Sequence, residues 1–348
     1  FISLRMKHIL LSCLLLLCGG YTLKAQENTK TANEVINTLK ERITLQGYAQ
    51  VGYTYDDQNG GSNTFDIKRV IFMASGQITD KWLCYFMYSF ANTGKILEAY
   101  TEYKFLPEIK VRLGQFKTMY TFENPISPCY VELINCYAQS VNYLAGIDGS
   151  DPLYGSNSGR DLGLMVYGDL FDKLISYNLA VMNGQGINKK DLNNQKDIVG
   201  RLIFHPLKWL SAGGSFIKGK GHAVAVSAYN PEIGIGENYT RNRWSAGATI
   251  TTTPVDIRTE YLAGKDGNVK SEGYYCTASV HVLPKLDVIA SYDYLNKNKT
   301  AADKQTNYVA GLQYWFYPKC RVQAQYTYCD RHKGESSNLI QAQIQVRF

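Results

Sequence analysis

Ile340-Gln341-Ala342-Gln343-Ile344-Gln345-Val346-Arg347-Phe348 alternates strictly between apolar and polar residues. Successive side chains of a β-strand point to opposite sides. Ile340, Ala342, Ile344, Val346 and Phe348 therefore share one face, and Gln341, Gln343, Gln345 and Arg347 the other. The stretch 43–55 repeats the pattern, with Ile43, Leu45, Ala49, Val51, Tyr53 and Tyr55 set against Thr44, Gln46, Gln50 and Thr54. Between these ends the same period predicts strands near 65–78, 82–91, 96–105, 109–117, 160–169, 174–183, 196–205, 209–218, 241–252, 255–264, 272–283, 286–295, 306–317 and 320–329. With the two ends that makes sixteen strands.

The connections alternate in length. Seven are short and hold turn formers, such as Thr79-Asp80-Lys81, Leu106-Pro107-Glu108, Thr253-Pro254 and Pro318-Lys319. The others fall at 56–64, 92–95, 118–159, 184–195, 219–240, 265–271, 296–305 and 330–337. An even strand number, with short turns at one end and longer loops at the other, predicts an all-β, 16-stranded antiparallel transmembrane barrel over residues 42–348. Strands of about ten residues, tilted, match the ~25 Å apolar band of an outer membrane. On the apolar face the aromatic residues sort by height. Tyr53, Tyr55, Tyr292, Tyr294, Tyr308, Tyr326 and Tyr328 fall toward the loops; Tyr103, Phe105, Tyr314, Phe316 and Phe348 fall toward the turns. Two such belts mark two headgroup layers, whereas a soluble sandwich has no reason to sort tyrosines by height.

Composition agrees. The 348 residues are 45% hydrophobic and 19% charged, with 30 glycines and 27 tyrosines. No stretch supplies the ~20 apolar residues of a membrane-spanning helix. At the start, Met6-Lys7, an apolar run and Leu23-Lys24-Ala25-Gln26 predict a signal peptide over residues 1–25, with Met6 as the true start. Its removal leaves 34 basic and 30 acidic residues, too mild an excess to argue for nucleic acid. Residues 26–41, with Val35, Ile36 and Leu39 among charges, form a short periplasmic segment in this reading.

Candidate chemistry is sparse. Six cysteines follow the signal peptide, without metal spacing; Cys129 and Cys136 either pair or stay as thiols. His205, His222, His281 and His332 come with no nucleophile and carboxylate in a recognisable arrangement. The reading is therefore not an enzyme, and no cofactor or metal is expected. Asp148-Gly149-Ser150-Asp151 resembles part of a calcium loop but lacks the later glutamate; a solvated turn is expected there.

With lipid outside, the polar faces must line water. Nine basic residues, among them Arg69, Arg112, Arg201 and Arg258, and nine acidic ones fall on that side. Equal totals do not decide the sign of a pore's preference, which is set at the narrow point. The loop 118–159 is far too long for a plain hairpin connection. It carries Tyr120, Phe122, Tyr130, Leu133, Ile134, Tyr137, Val141, Tyr143 and Leu144, which need shelter, and the lumen is the shelter available. The loop is expected to fold inward as a constriction. Its charges are Glu123, Glu132, Asp148 and Asp151, with Lys117 and Arg160 standing at its ends.

Phe65-Asp66-Ile67-Lys68-Arg69, Gly114-Gln115-Phe116-Lys117 followed by Glu123 and Ser127, Gly159-Arg160-Asp161-Leu162-Gly163 and Asn183-Gly184 occur in that order. This series resembles the phosphate-selective porin O and P family along the whole barrel. The resemblance implies a homotrimeric porin in the outer membrane of a Gram-negative bacterium, in contact with its lipid. Its third loop would narrow a passive channel for small anions or small hydrophilic solutes. Lys117 and Arg112 match basic positions of the strand leading to the constriction, and Arg69 and Arg160 match motif positions; Arg201 and Arg258 would extend the path. The acidic loop departs from that pattern, since it holds no lysine or arginine of its own. The cut after Ala25 points to a Bacteroides-type bacterium. A surface adhesin with a closed lumen is the alternative.

Overall fold

The structure is a computed structural model and describes residues 41–348 apart from Asn92 and Asp148. The expected signal peptide lies outside those residues, as does the 26–41 segment except Glu41. Sixteen antiparallel strands close a barrel in sequence order. They are β1 (Ile43–Asp56), β2 (Ser62–Thr79), β3 (Trp82–Ser89), β4 (Lys95–Leu106), β5 (Ile109–Lys117), β6 (Arg160–Leu170), β7 (Ile175–Met182) and β8 (Asp197–Leu207). The second half is β9 (Leu210–His222), β10 (Asn238–Thr251), β11 (Val255–Asp266), β12 (Val269–Leu283), β13 (Leu286–Asn298), β14 (Asp303–Tyr317), β15 (Cys320–Arg331) and β16 (Ser337–Arg347).

Closure follows from the two stretches with the cleanest alternation. β1 pairs β16 with Gln50 opposite Gln345 and Val51 opposite Ile344. Phe348 and Gly47 exchange backbone hydrogen bonds of 3.0 and 3.3 Å. Among the described residues no sheet edge remains, so the wall strands pair with one another rather than with water, as a lipid-facing sheet requires.

The burial is inside out. Leu312, Ile340, Ile344 and Val346 are exposed, whereas Gln323, Gln341, Gln343 and Gln345 are buried. Many of the buried polar side chains bond one another, as in Gln50 to Gln345 at 2.8 Å, Gln343 to Gln323 at 2.9 Å and Ser215 to Ser245 at 2.7 Å. Register places Tyr292 opposite Tyr308 and Tyr308 opposite Tyr328. Their rings meet at 5.4 and 6.3 Å to form one side of the loop-end belt. At the turn end, Trp82, Tyr103 and Phe105 make the matching contacts.

Several strands outrun their expected ends. The hairpin expected to span 265–271 is zipped as far as Asp266 opposite Val269. The ladder continues past the point where the apolar face stops, because pairing needs only backbone groups. The six cysteines form no disulfide, and Cys129 and Cys136 are both buried.

Candidate functional site

The loop 118–159 holds a short helix, α1 (Gln139–Leu144), which packs on β11, β12 and β13. Gly159 marks where the loop rejoins the wall. Its φ of +64° suits glycine, and a Cβ there would meet Asn124 Oδ1 at 1.9 Å. Asn124 Nδ2 donates to the carbonyls of Thr118 and Gly159 at 2.8 and 2.9 Å, so the two ends of the loop are tied together.

From there the loop runs along the inner faces of the far strands. The amide of Thr121 donates to Ser215 Oγ of β9 at 2.8 Å, and that of Phe122 to the Glu260 carboxylate of β11 at 2.9 and 3.0 Å. The amide of Ile134 reaches Gln325 of β15 at 2.9 Å, and that of Gln139 reaches Asp293 of β13 at 2.6 Å. Its apolar side chains, Tyr120, Val131, Val141 and Leu144 among them, join inward-facing Met165, Met182, Leu262 and Leu295 in one buried cluster. The expected shelter is therefore real, and the wall strands supply apolar inward residues to meet it.

Arginines complete the attachment. Arg258 holds Glu123 at 3.1 Å and Glu132 at 2.5 Å. Arg243 holds Asp151 at 2.6 Å, Asp266 at 2.8 Å and the Leu144 carbonyl at 2.6 Å. Arg321 donates to the Val131 carbonyl at 2.8 Å. Burial raises the Glu123 carboxyl above its ordinary range, and the Arg258 guanidinium offsets only part of that rise. Each described acid of the loop thus has an arginine on the wall. Asp151 is a buried ion-pair partner rather than a residue of a solvated turn, because Arg243 draws it inward. Among the described residues, no group of three or more His, Cys, Asp or Glu side chains is placed to hold a metal ion.

A cavity of about 1140 Å³ lies between the loop and β2–β4. Lys68, Arg69, Lys95 and Arg160 line it, against Asp66 as its one acid among the described residues. Arg160 binds Glu98 through two nitrogens at 2.8 and 3.0 Å. Arg69 donates to Gln50 at 3.0 Å, and Lys95 to Ser158 at 3.2 Å.

The six basic residues singled out from sequence divide into groups. Arg69 and Arg160 line the cavity. Arg112 pairs with Glu102 at 2.7 Å and lies over the Tyr100 ring. Lys117 spends its ammonium on the carbonyls of Asn124 and Ile126, each at 2.7 Å, and on the Tyr137 hydroxyl at 2.9 Å. Together with Arg258 it holds the loop. Arg201 lies 5.5 Å from the Phe122 ring and, among the described residues, forms no ion pair.

Lys68 and Lys95 were not among the six. Lys68 escapes a period-two reading because β2 bulges there. Gln50 faces Arg69 while Val51 faces Ile67, leaving Lys68 as the extra residue. Its ammonium reaches Thr54 Oγ1 at 3.2 Å, so two successive basic side chains enter the lumen. Of the four histidines beyond residue 25, His281 sits between Asp287 and Asp256, and His205 between Ser176 and Ser211; neither lines the cavity.

Solved structures share this architecture. An anion-selective porin from Comamonas acidovorans is 14% identical, with a TM-score of 0.67 over 88% of this chain and 99% of its own. OprB of Pseudomonas putida is 10% identical, with a TM-score of 0.66 over 91% and 96%. The trimer form of OmpT, an outer membrane protein of Vibrio cholerae, is 14% identical, with a TM-score of 0.65 over 88% and 99%. No curated protein sequence matches the chain. Family comparison matches phosphate-selective porin O and P over residues 42–217, which takes in β1–β8, the 118–159 loop and every basic residue of the cavity. With the closed barrel and its inverted burial, that match places the chain in the phosphate-selective porin O and P family, as a passive diffusion channel of the Gram-negative outer membrane.

Proposed function

We propose that this porin passes small anions, and that they travel between the loop 118–159 and the wall of β2–β4. The observation that carries this reading is the lining of that cavity, four basic residues against one acid among the described residues. In a narrow, poorly solvated passage a small excess of one sign dominates the field. The acids of the loop do not cancel it, because Arg258 and Arg243 hold Glu123, Glu132 and Asp151 on the other side. Arg69, Arg160, Lys68 and Lys95 are the residues we assign to the path. Arg112 and Arg201 extend it below the loop, and Lys117 and Arg258 set its width by fixing the loop. The assembly we favour is a homotrimer, as in the trimer form of the Vibrio OmpT.

The test is a reversal potential in a salt gradient across planar bilayers, with chloride, phosphate and a bulky organic anion in turn. The wild-type channel should prefer anions, and Lys68→Glu with Lys95→Glu should bring the preference to zero or invert it. An unaltered reversal potential in that double variant would take the cavity out of the path.

A further inference from the structure

On the outer wall, β9–β12 carry a charge pattern that the pore does not use. Lys218 of β9 faces Asn242 of β10, Asn242 faces Lys265 of β11, and Lys265 faces Lys270 of β12. These four positions form one cross-strand row at the loop end. Two residues nearer the membrane on the same face, about 7 Å along each strand, lies the row Phe216, Trp244, Ala263 and Glu272. Below it Tyr261 faces Tyr274, and Tyr274 faces Tyr294, in the aromatic belt. A groove of about 440 Å³ joins the lysine row to Trp244 and Tyr261.

The lysines of the row are exposed and, among the described residues, have no acidic partner. The one acid among the described residues of the groove is Glu272, which Lys299 binds at 2.6 Å and the Tyr261 hydroxyl at 2.9 Å. Lys265 and Lys270 stand directly opposite one another, an arrangement of like charges that disfavours the sheet unless an anion lies between them. Long loops of such barrels face the outside, so the row sits at the headgroup level of the outer leaflet. Rings beneath and cations above match a lipid with apolar chains and a phosphate-bearing head.

We propose that Lys218, Lys265 and Lys270, with Trp244 and Tyr261 below them, form a binding site for a phosphorylated lipid of the outer leaflet. The phosphate lies between Lys265 and Lys270, and an acyl chain runs down past Trp244. The selectivity of the lumen does not enter this argument, so either reading can fail alone.

Native mass spectrometry of the full mature barrel in detergent tests it, with bis-phosphorylated lipid A and its dephosphorylated counterpart as probes. Wild-type protein should bind the phosphorylated lipid at least tenfold more tightly than the dephosphorylated one. Lys218→Glu, Lys265→Glu and Lys270→Glu together should erase that difference while single-channel conductance stays the same. Should the triple variant fail to fold, Lys265→Gln with Lys270→Gln should still cost about fivefold. Lys208→Glu, at the turn end, should leave binding unchanged. The site is overturned by triple-variant affinity within twofold of wild type, by equal binding of both lipids, or by an equal loss from Lys208→Glu. Displacement of the lipid by millimolar inorganic phosphate would assign the row to free anions and overturn it too. So would a changed oligomeric state at unchanged lipid affinity, which would give the surface to a second copy.

Discussion

Arg243 of β10 reaches Asp151 of the third loop at 2.6 Å, across 92 residues of chain. Both side chains are fully buried, and the same guanidinium also holds Asp266. Removing the arginine strands two carboxylates where water does not reach. We expect Arg243→Ala to destabilise the loop's attachment by about 3–5 kcal/mol. Protease should then cut within 118–159 in the folded barrel, and single-channel current should become noisier. An uncut loop with a quiet trace would show that the apolar cluster alone holds it.

Lys117 makes a different forecast from the other basic residues. Its three donors all go to the loop, and hydrogen bonds from a charged group contribute about 1.5–3 kcal/mol each. Lys117→Met should therefore widen the distribution of conductance levels while shifting the reversal potential less than Lys95→Met does. A larger shift from Lys117→Met would make it a direct attractor of ions.

Arg160 and Glu98 form a pair beside the cavity. Replacing the arginine by alanine lowers the local charge by one unit and leaves Glu98 without its partner. The reversal potential should move toward cations. Adding Glu98→Gln to Arg160→Ala restores the local charge and should recover most of that move, and the double-mutant cycle measures the coupling. No recovery in the double variant would contradict the pairing.

Leu312 of β14 is half exposed, between the tyrosine row at Tyr308 and the turn-side ring of Tyr314. That height is hydrocarbon. Leu312→Arg should cost about 2–4 kcal/mol in reversible urea unfolding from phospholipid vesicles. A cost below about 1 kcal/mol would mean that this face is not bathed in lipid.

The barrel itself was legible in the sequence, for a physical reason. The wall of such a barrel separates two solvents, so each residue of a strand reports its side directly. All sixteen strands lie where the alternation of apolar and polar residues puts them, and β5 runs over 109–117 as expected. The 118–159 boundaries of the long loop were equally plain. Partners across the lumen were not, because pairs such as Arg258 with Glu132 join residues 126 positions apart in unrelated segments. The acids of the loop read as a departure from an anion path; in three dimensions they are its fastenings. Lys68 was hidden for another reason, since an extra residue in one strand breaks the very rule used to assign faces.

That bulge also bears on how such a channel can change. A point substitution on a wall strand alters one surface, and a slipped strand alters both. A single added residue in one strand does neither: Ile67 and Val70 stay opposite Val51 and Ala49 of the apolar face while another ammonium turns toward the water. Electrical character can thus be edited a unit at a time, with the greasy exterior left untouched.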